Sequence, residues 1–214
     1  MADLQDDRTA GGAQADTNVQ PDTKDWTWTL QRRCLQCGFD ARLAEAQTIS
    51  GRTVELTAPW QEVLRRPDVA RRPSPAVWSP LEYGCHVRDV CRVFEGRVRL
   101  MLDVDEPRFP DWDQDETALA ERYGEQEPST VAGELAESAR QASAAFGRVG
   151  GDQWGRKGLR SNGSQFTVLT LGQYFLHDLA HHLIDVGVDE LPQAWAPALP
   201  PHGESRGRGP DAAR

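Results

Sequence analysis

No run of about 18 or more apolar residues occurs anywhere in this 214-residue chain, so no segment is long enough to cross a bilayer as a helix. The first residues lack the basic start and apolar core of a secretory leader, and a cytoplasmic location is the expectation. Basic residues are few: 24 Lys and Arg stand against 33 Asp and Glu, a net charge of -9 with a pI near 5.1. Nucleic acid is an unsuitable partner for that balance, because phosphate binding needs clustered positive charge. Cysteine is also scarce, with four in the chain, and in a reducing compartment these are thiols or metal ligands before they are disulfides. There is no glycine-rich strand–turn–helix loop, which removes the usual cradle for S-adenosylmethionine. Neither Ser129 nor Ser161 sits in a nucleophile-elbow context. No internal repeat is present.

Mean hydropathy is -0.62, and the ends account for part of it. Residues 1–25 hold no aromatic and almost no aliphatic side chain, and residues 191–214 are rich in Pro, Gly and Ala. Neither buries enough apolar surface to offset its ordering entropy, so both are expected to be disordered tails. Residues 26–53 form an N-terminal extension that carries a C-x-x-C at Cys34 and Cys37. One such pair is a weak zinc signal, since a structural site needs four ligands and no second C-x-x-C follows. A turn closed by Gly38 is the plainer reading.

Residues 54–190 read as helices. "TAPWQEVLRR" starts one, with Thr57 as the cap and Pro59 in the first turn. "SPLEYGCHVRDVCRVFEGRVRLMLDVD" has a Ser79, Pro80, Glu82 start and apolar residues at helical spacing from Leu81 to Leu102. An acidic loop with Phe109 and Trp112 follows, with a short helix near 115–122. "STVAGELAESARQASAAFG" is a third long helix, capped by Ser or Thr. "GRKGLRSNGSQFT" is a loop or hairpin around Asn162-Gly163. A last helix spans about Thr167–Val186 and is apolar almost all round, the mark of a central helix. Four helices without a convincing run of strands imply an all-α, four-helix bundle.

Three of the five histidines fall in "YFLHDLAHHLIDVG". His177 and His181 are four apart and leave one helix face, a usual way to present two nitrogens to one metal. His182 points roughly 100° away and reads as structural or supporting, as do Asp178 and Asp185. His202 lies in the tail and has no assigned role. His86, in the first turns of the long helix, is the candidate third ligand. A set of His86, His177 and His181 would bind a divalent metal, Zn or Ni foremost, and leave positions for water or substrate. Asp89, three residues after His86, is the best available general base, and Arg88 and Arg97 are candidate anchors for an acidic cofactor.

"VWSPLEYGCHVRDV" followed by "YFLHDLAHHLIDVG" resembles the DinB/YfiT-like superfamily. Trp78, Ser79, Glu82 and His86 match its W-S-x-x-E-x-x-x-H lead-in, and "FPDWDQDETALAERY" is similar to an actinobacterial subgroup. The resemblance covers about residues 54–187. It implies a small four-helix bundle with a metal held by one histidine of the second helix and two of the last, here His86, His177 and His181. It also implies a metal-dependent hydrolase or a thiol S-transferase that uses bacillithiol or mycothiol, acting on a small molecule. A homodimer is the assembly that helical bundles with an exposed apolar stripe commonly form. The alternative is a non-catalytic bundle that binds a metal or ligand in a stress response. The N-terminal C-x-x-C lies outside the resemblance.

Overall fold

A computed structural model describes residues 25–188. Apart from Asp25, the two expected tails and His202 lie outside the described residues. Helix α1 (Ile49–Thr57) comes earlier than expected. Thr57 is its last residue rather than a cap, and its hydroxyl donates back to the Thr53 carbonyl. The buried stripe of α1 is Ile49, Thr53, Leu56 and Thr57, only half aliphatic, which weakens the apolar period in sequence. Pro59 then caps the single turn α2 (Trp60–Val63). Helix α3 (Pro80–Asp103) starts as expected: the Ser79 hydroxyl accepts from the Glu82 N–H while the Glu82 carboxylate accepts from the Ser79 N–H at 2.8 Å. Helix α4 (Gln114–Ala120) is the expected short helix. Helix α5 (Pro128–Gly147) begins at Pro128 with Glu127 before it and no side-chain cap, so Ser129 and Thr130 lie inside the first turn rather than capping it. Helix α6 (Val168–Asp185) is capped by Thr167, whose hydroxyl accepts from the Thr170 N–H.

The four long helices form a bundle in which α1 packs on α5 and α6, and α3 packs on the same two. Going round the bundle the order is α1, α5, α3, α6, so the first two long helices of the chain stand diagonally opposite. Phe175 of α6 stacks on Phe94 at 5.0 Å and Phe146 at 5.6 Å in the centre. At one end sits a small sheet of β1 (Arg108–Phe109), β2 (Lys157–Arg160) and β3 (Gln165–Thr167). β2 and β3 are the expected hairpin, antiparallel with Gly158 opposite Phe166, and Gly163 turns it at φ +96°. β1 joins it in parallel, with Arg108 opposite Leu159. That pairing holds the acidic loop after α3 beside the start of α6. No helix among the described residues is long and apolar enough to cross a membrane.

α6 approaches its neighbours closely at Gly172, where a Cβ would lie 2.7 Å from Ile49 Cδ1 and 3.1 Å from Phe146 Cε1. Gly172→Val should therefore lower stability by about 1–3 kcal/mol through overpacking, read from urea unfolding; an unchanged midpoint would mean the two helices yield freely. Glu82 gives a second expectation. Burial pushes its carboxyl up, but the Arg72 guanidinium and the two Ser79 donors outweigh burial and hold it below the ordinary range. A carboxyl with a lowered folded pKa adds stability that is complete above its unfolded value, about 4.3, and is lost as the pH falls toward the folded one. Glu82→Gln should be less stable than wild type at pH 7, and the gap should narrow on acidification below about pH 4.5. A gap constant with pH would assign the loss to packing alone.

Candidate metal centre

α6 turns a broad polar stripe out of an otherwise apolar helix. Its Leu171, Phe175, Leu176, Leu179 and Leu183 are fully buried in the core, while His177, Asp178, His181, His182 and Asp185 line a cleft of about 810 Å³. The cleft is walled by Trp78 and Tyr83 on one side, Trp112 and Asp111 of the acidic loop on another, and Trp26 of the N-terminal extension on a third.

Two groups of metal-binding donors meet at this stripe, each with its donor atoms within 4.8 Å of one another: His86, Asp178 and His182, and Cys34, Cys37, His177 and His181. The structure thus brings His177 and His181 together, as their spacing predicts, and places His86 in the other group.

In the first group, His86 comes from α3 and is fully buried. Its Nε2 lies 3.6 Å from Asp178 Oδ1, outside hydrogen-bond range. His182 Nε2 approaches the same oxygen to 3.1 Å. Neither ring nitrogen of His86 has a hydrogen-bond partner. Buried polar atoms without partners are rare and costly, and one nitrogen of this ring comes within 4.8 Å of the donor atoms of Asp178 and His182. Donors placed about 2.0–2.2 Å from one cation stand roughly 3–3.5 Å apart, close to the separations seen. Two imidazoles and one carboxylate suit Zn, Fe, Ni or Co and leave coordination positions open. The donor set therefore fits a divalent cation.

The supporting contacts fix these rings. Trp112 lies flat on His86, with centroids 5.4 Å apart and planes within 4°, and donates its own N–H to Thr117. His182 Nδ1 pairs with Asp185 Oδ2 at 2.8 Å, which orients Nε2 toward Asp178. Carboxylates behind ligating imidazoles commonly play this part. Burial disfavours the His182 imidazolium, but Asp178 and Asp185 overcome it and push its pKa up to about 9. His86 moves the other way, lowered first by burial. Asp178 is held far below the ordinary carboxyl range: burial opposes this, and its contacts with His182 and His86 prevail. The carboxylate between two rings is thus a fixed negative charge aimed at the convergence point.

In the second group, Cys34 Sγ lies 3.8 Å from His181 Nδ1, and His177 Nε2 is buried without a hydrogen-bond partner. Trp26 packs on both imidazoles, with centroids 5.7 Å and 4.9 Å away. Burial lowers the pKa of His177 to about 4, helped by His181, so this ring is neutral at pH 7.

The DinB superfamily model matches residues 51–186. The chain belongs to the DinB superfamily. Among solved structures it is similar to YfiT from Bacillus subtilis, described as a probable metal-dependent hydrolase with an unusual four-helix bundle topology. The TM-score is 0.61 at 17% identity, over 70% of this chain and 88% of that one. At that identity the likeness is one of fold. No curated protein matches the chain. His86, Asp178 and His182 all lie inside the span matched to the DinB superfamily, whereas Cys34 and Cys37 lie before it.

Three residues singled out from sequence stand elsewhere. Asp89 is not among the cleft-lining residues. Its carboxylate accepts both forks of Arg88 at 2.9 Å, Arg92 at 2.9 Å and the Tyr123 hydroxyl at 2.6 Å. Arg88 continues to Gln126 and Glu134, so the cluster ties α3 to α5 and to the turn before it. Arg97 donates to the Pro110 carbonyl beneath the acidic loop; the arginine that lines the cleft is Arg160. Asp178 and His182, which read as supporting residues in sequence, are themselves four apart and stand beside His86. Asp89→Asn should cost about 3–5 kcal/mol by leaving Arg88 buried and underpaired, and should leave metal content unchanged. Loss of metal at unchanged stability would instead connect Asp89 to the centre.

Proposed function

We propose that this chain is a metal-dependent hydrolase whose catalytic divalent cation is held by His86, Asp178 and His182. The observation that carries this reading is the unpartnered, fully buried imidazole of His86 on α3, whose donor atom lies within 4.8 Å of those of Asp178 and His182 on α6, the two that line the cleft. Such a cation would supply a Lewis acid that lowers the pKa of a water to near neutrality. The protein's own residues do the rest. With a cation in place, Asp185 would accept from His182 Nδ1–H and leave Nε2 free to ligate. Trp112 and Trp78 pack on His86 and keep bulk water from its ring. The cleft admits a small molecule and selects by charge. Asp25, Asp111, Asp113, Asp115 and Asp185 line it, with Arg160 as its one arginine or lysine among the described residues. A negative field of this kind repels anions and concentrates cations, while Trp26, Trp78, Trp112 and Tyr174 offer flat apolar faces. Neutral or cationic substrates with an aromatic or aliphatic group fit best. Thiol transfer would use the same centre with a low-molecular-weight thiol in place of water.

The test compares untagged wild type, purified without chelator, with His86→Ala/His182→Ala. Metal per chain is measured by mass spectrometry, and turnover on a panel of neutral, cationic and carboxylate-bearing aryl esters and amides, with and without added thiol. The double variant should lose one ion per chain and at least about a hundredfold in turnover, and wild type should favour the neutral and cationic substrates. Unchanged metal content would remove the cation from these residues. Metal lost with no turnover in either protein would leave a non-catalytic metal-binding bundle.

A further inference from the structure

We infer that Cys34, Cys37, His177 and His181 form a second, structural metal site of the zinc type, which fastens the N-terminal extension onto α6. The inference is independent of the centre at His86. All four donor atoms lie within 4.8 Å of one another, and Cys34 Sγ lies 3.8 Å from His181 Nδ1. Two thiolates and two imidazoles around one tetrahedral zinc stand roughly 3.3–3.8 Å apart. The spacings C-x-x-C and H-x-x-x-H are both those of Cys2His2 sites, with the rest of the bundle lying between the two halves.

The local backbone is built for this. Gly38 takes φ +75°, a conformation that favours glycine, and its N–H donates to the Cys34 carbonyl at 2.9 Å. The turn so formed brings both cysteines to the same side. The surroundings are closed: Cys34 is fully buried, Cys37 and His177 nearly so, and Trp26 and Phe39 pack on the imidazoles. His177 Nε2 is a buried nitrogen without a hydrogen-bond partner, and a metal would satisfy it. His181 Nε2 faces Asp185 at 3.9 Å, so one carboxylate backs both groups. Four protein donors leave no open position, which is the signature of a structural ion. Binding releases the thiol protons to solvent as the two metal–sulfur bonds form. The consequence reaches the cleft, because Trp26 and Gln36 of the extension form part of its wall.

The test is cobalt(II) titration of the full, reduced, metal-free chain. Thiolate ligation gives a sulfur-to-cobalt charge-transfer band, and tetrahedral geometry gives intense d–d bands. The charge-transfer band should develop in wild type, in His86→Ala/His182→Ala and in Cys85→Ser/Cys91→Ser, and should be lost in Cys34→Ser/Cys37→Ser; in the His86→Ala/His182→Ala background, where the other centre is removed, one equivalent should develop both features and a further His177→Ala should weaken them. Far-UV circular dichroism checks that each variant is folded. Because wild type and the Cys85/Cys91 variant are informative by themselves, a misfolded Cys34/Cys37 variant does not remove the test. The inference is overturned if wild type takes up cobalt without a charge-transfer band, if the band is lost with Cys85 and Cys91, or if the His86/His182 variant loses it too.

Discussion

An α-helix turns about 100° per residue, and α6 carries two donor pairs at four-residue spacing that are one residue out of step. His177 and His181 therefore face the N-terminal extension, and Asp178 and His182 face α3. The offset divides four polar side chains between two groups and still lets them line a single cleft. It also demands that α6 be held against its neighbours on its remaining face, since a stripe this polar contributes little to the core. Leu171, Phe175, Leu179 and Leu183 supply that hold, with the Phe94–Phe175–Phe146 stack at the centre. Any shift of α6 along its axis would move both groups together.

Asp185 is the residue through which the two groups communicate. It pairs with His182 at 2.8 Å and stands 3.9 Å from His181. One ring therefore competes with the other for the same negative charge. The carboxylate is kept ionised despite burial, which would raise its pKa, because His182 and His181 lower it further. A cation in either group would withdraw electron density from its imidazole and strengthen that ring's claim on Asp185. This is a local electrostatic coupling, and it needs no movement of backbone.

Much of this was legible in the chain. The capping box at Ser79 and Glu82 and the period of α3 and α6 are strong local signals, and both helices lie where the pattern puts them. α1 was misplaced because two of its four buried positions are threonine, which hides the apolar period. The parallel pairing of β1 is a contact between distant segments with no local signature. The composition of the two groups was the least legible part. The pair at 177 and 181 was visible, but Asp178 is an acidic residue on a helix, a type that usually faces water. Only the fold reveals that α3 brings His86 against it. The C-x-x-C reads as incomplete in sequence because no second C-x-x-C follows it, and only the fold sets it beside the H-x-x-x-H of α6.

The extension has little of its own with which to hold its place. Between Trp26 and Thr48 the helical segments are short 3-10 turns of three to five residues, and such turns form poor hydrogen bonds and do not persist alone. Its buried apolar residues are few: Cys34, Cys37, Phe39, Ala41 and Ala44. Gln173 of α6 donates to the Ala44 carbonyl at 3.0 Å, one hydrogen bond of modest net worth. Against the entropy of ordering more than twenty residues these contacts are thin. A site that draws two ligands from the extension and two from α6 would turn metal binding into docking free energy. The superfamily's matched region begins only at residue 51, so a segment added before it must bring its own attachment, and the cysteine pair lies within that added segment.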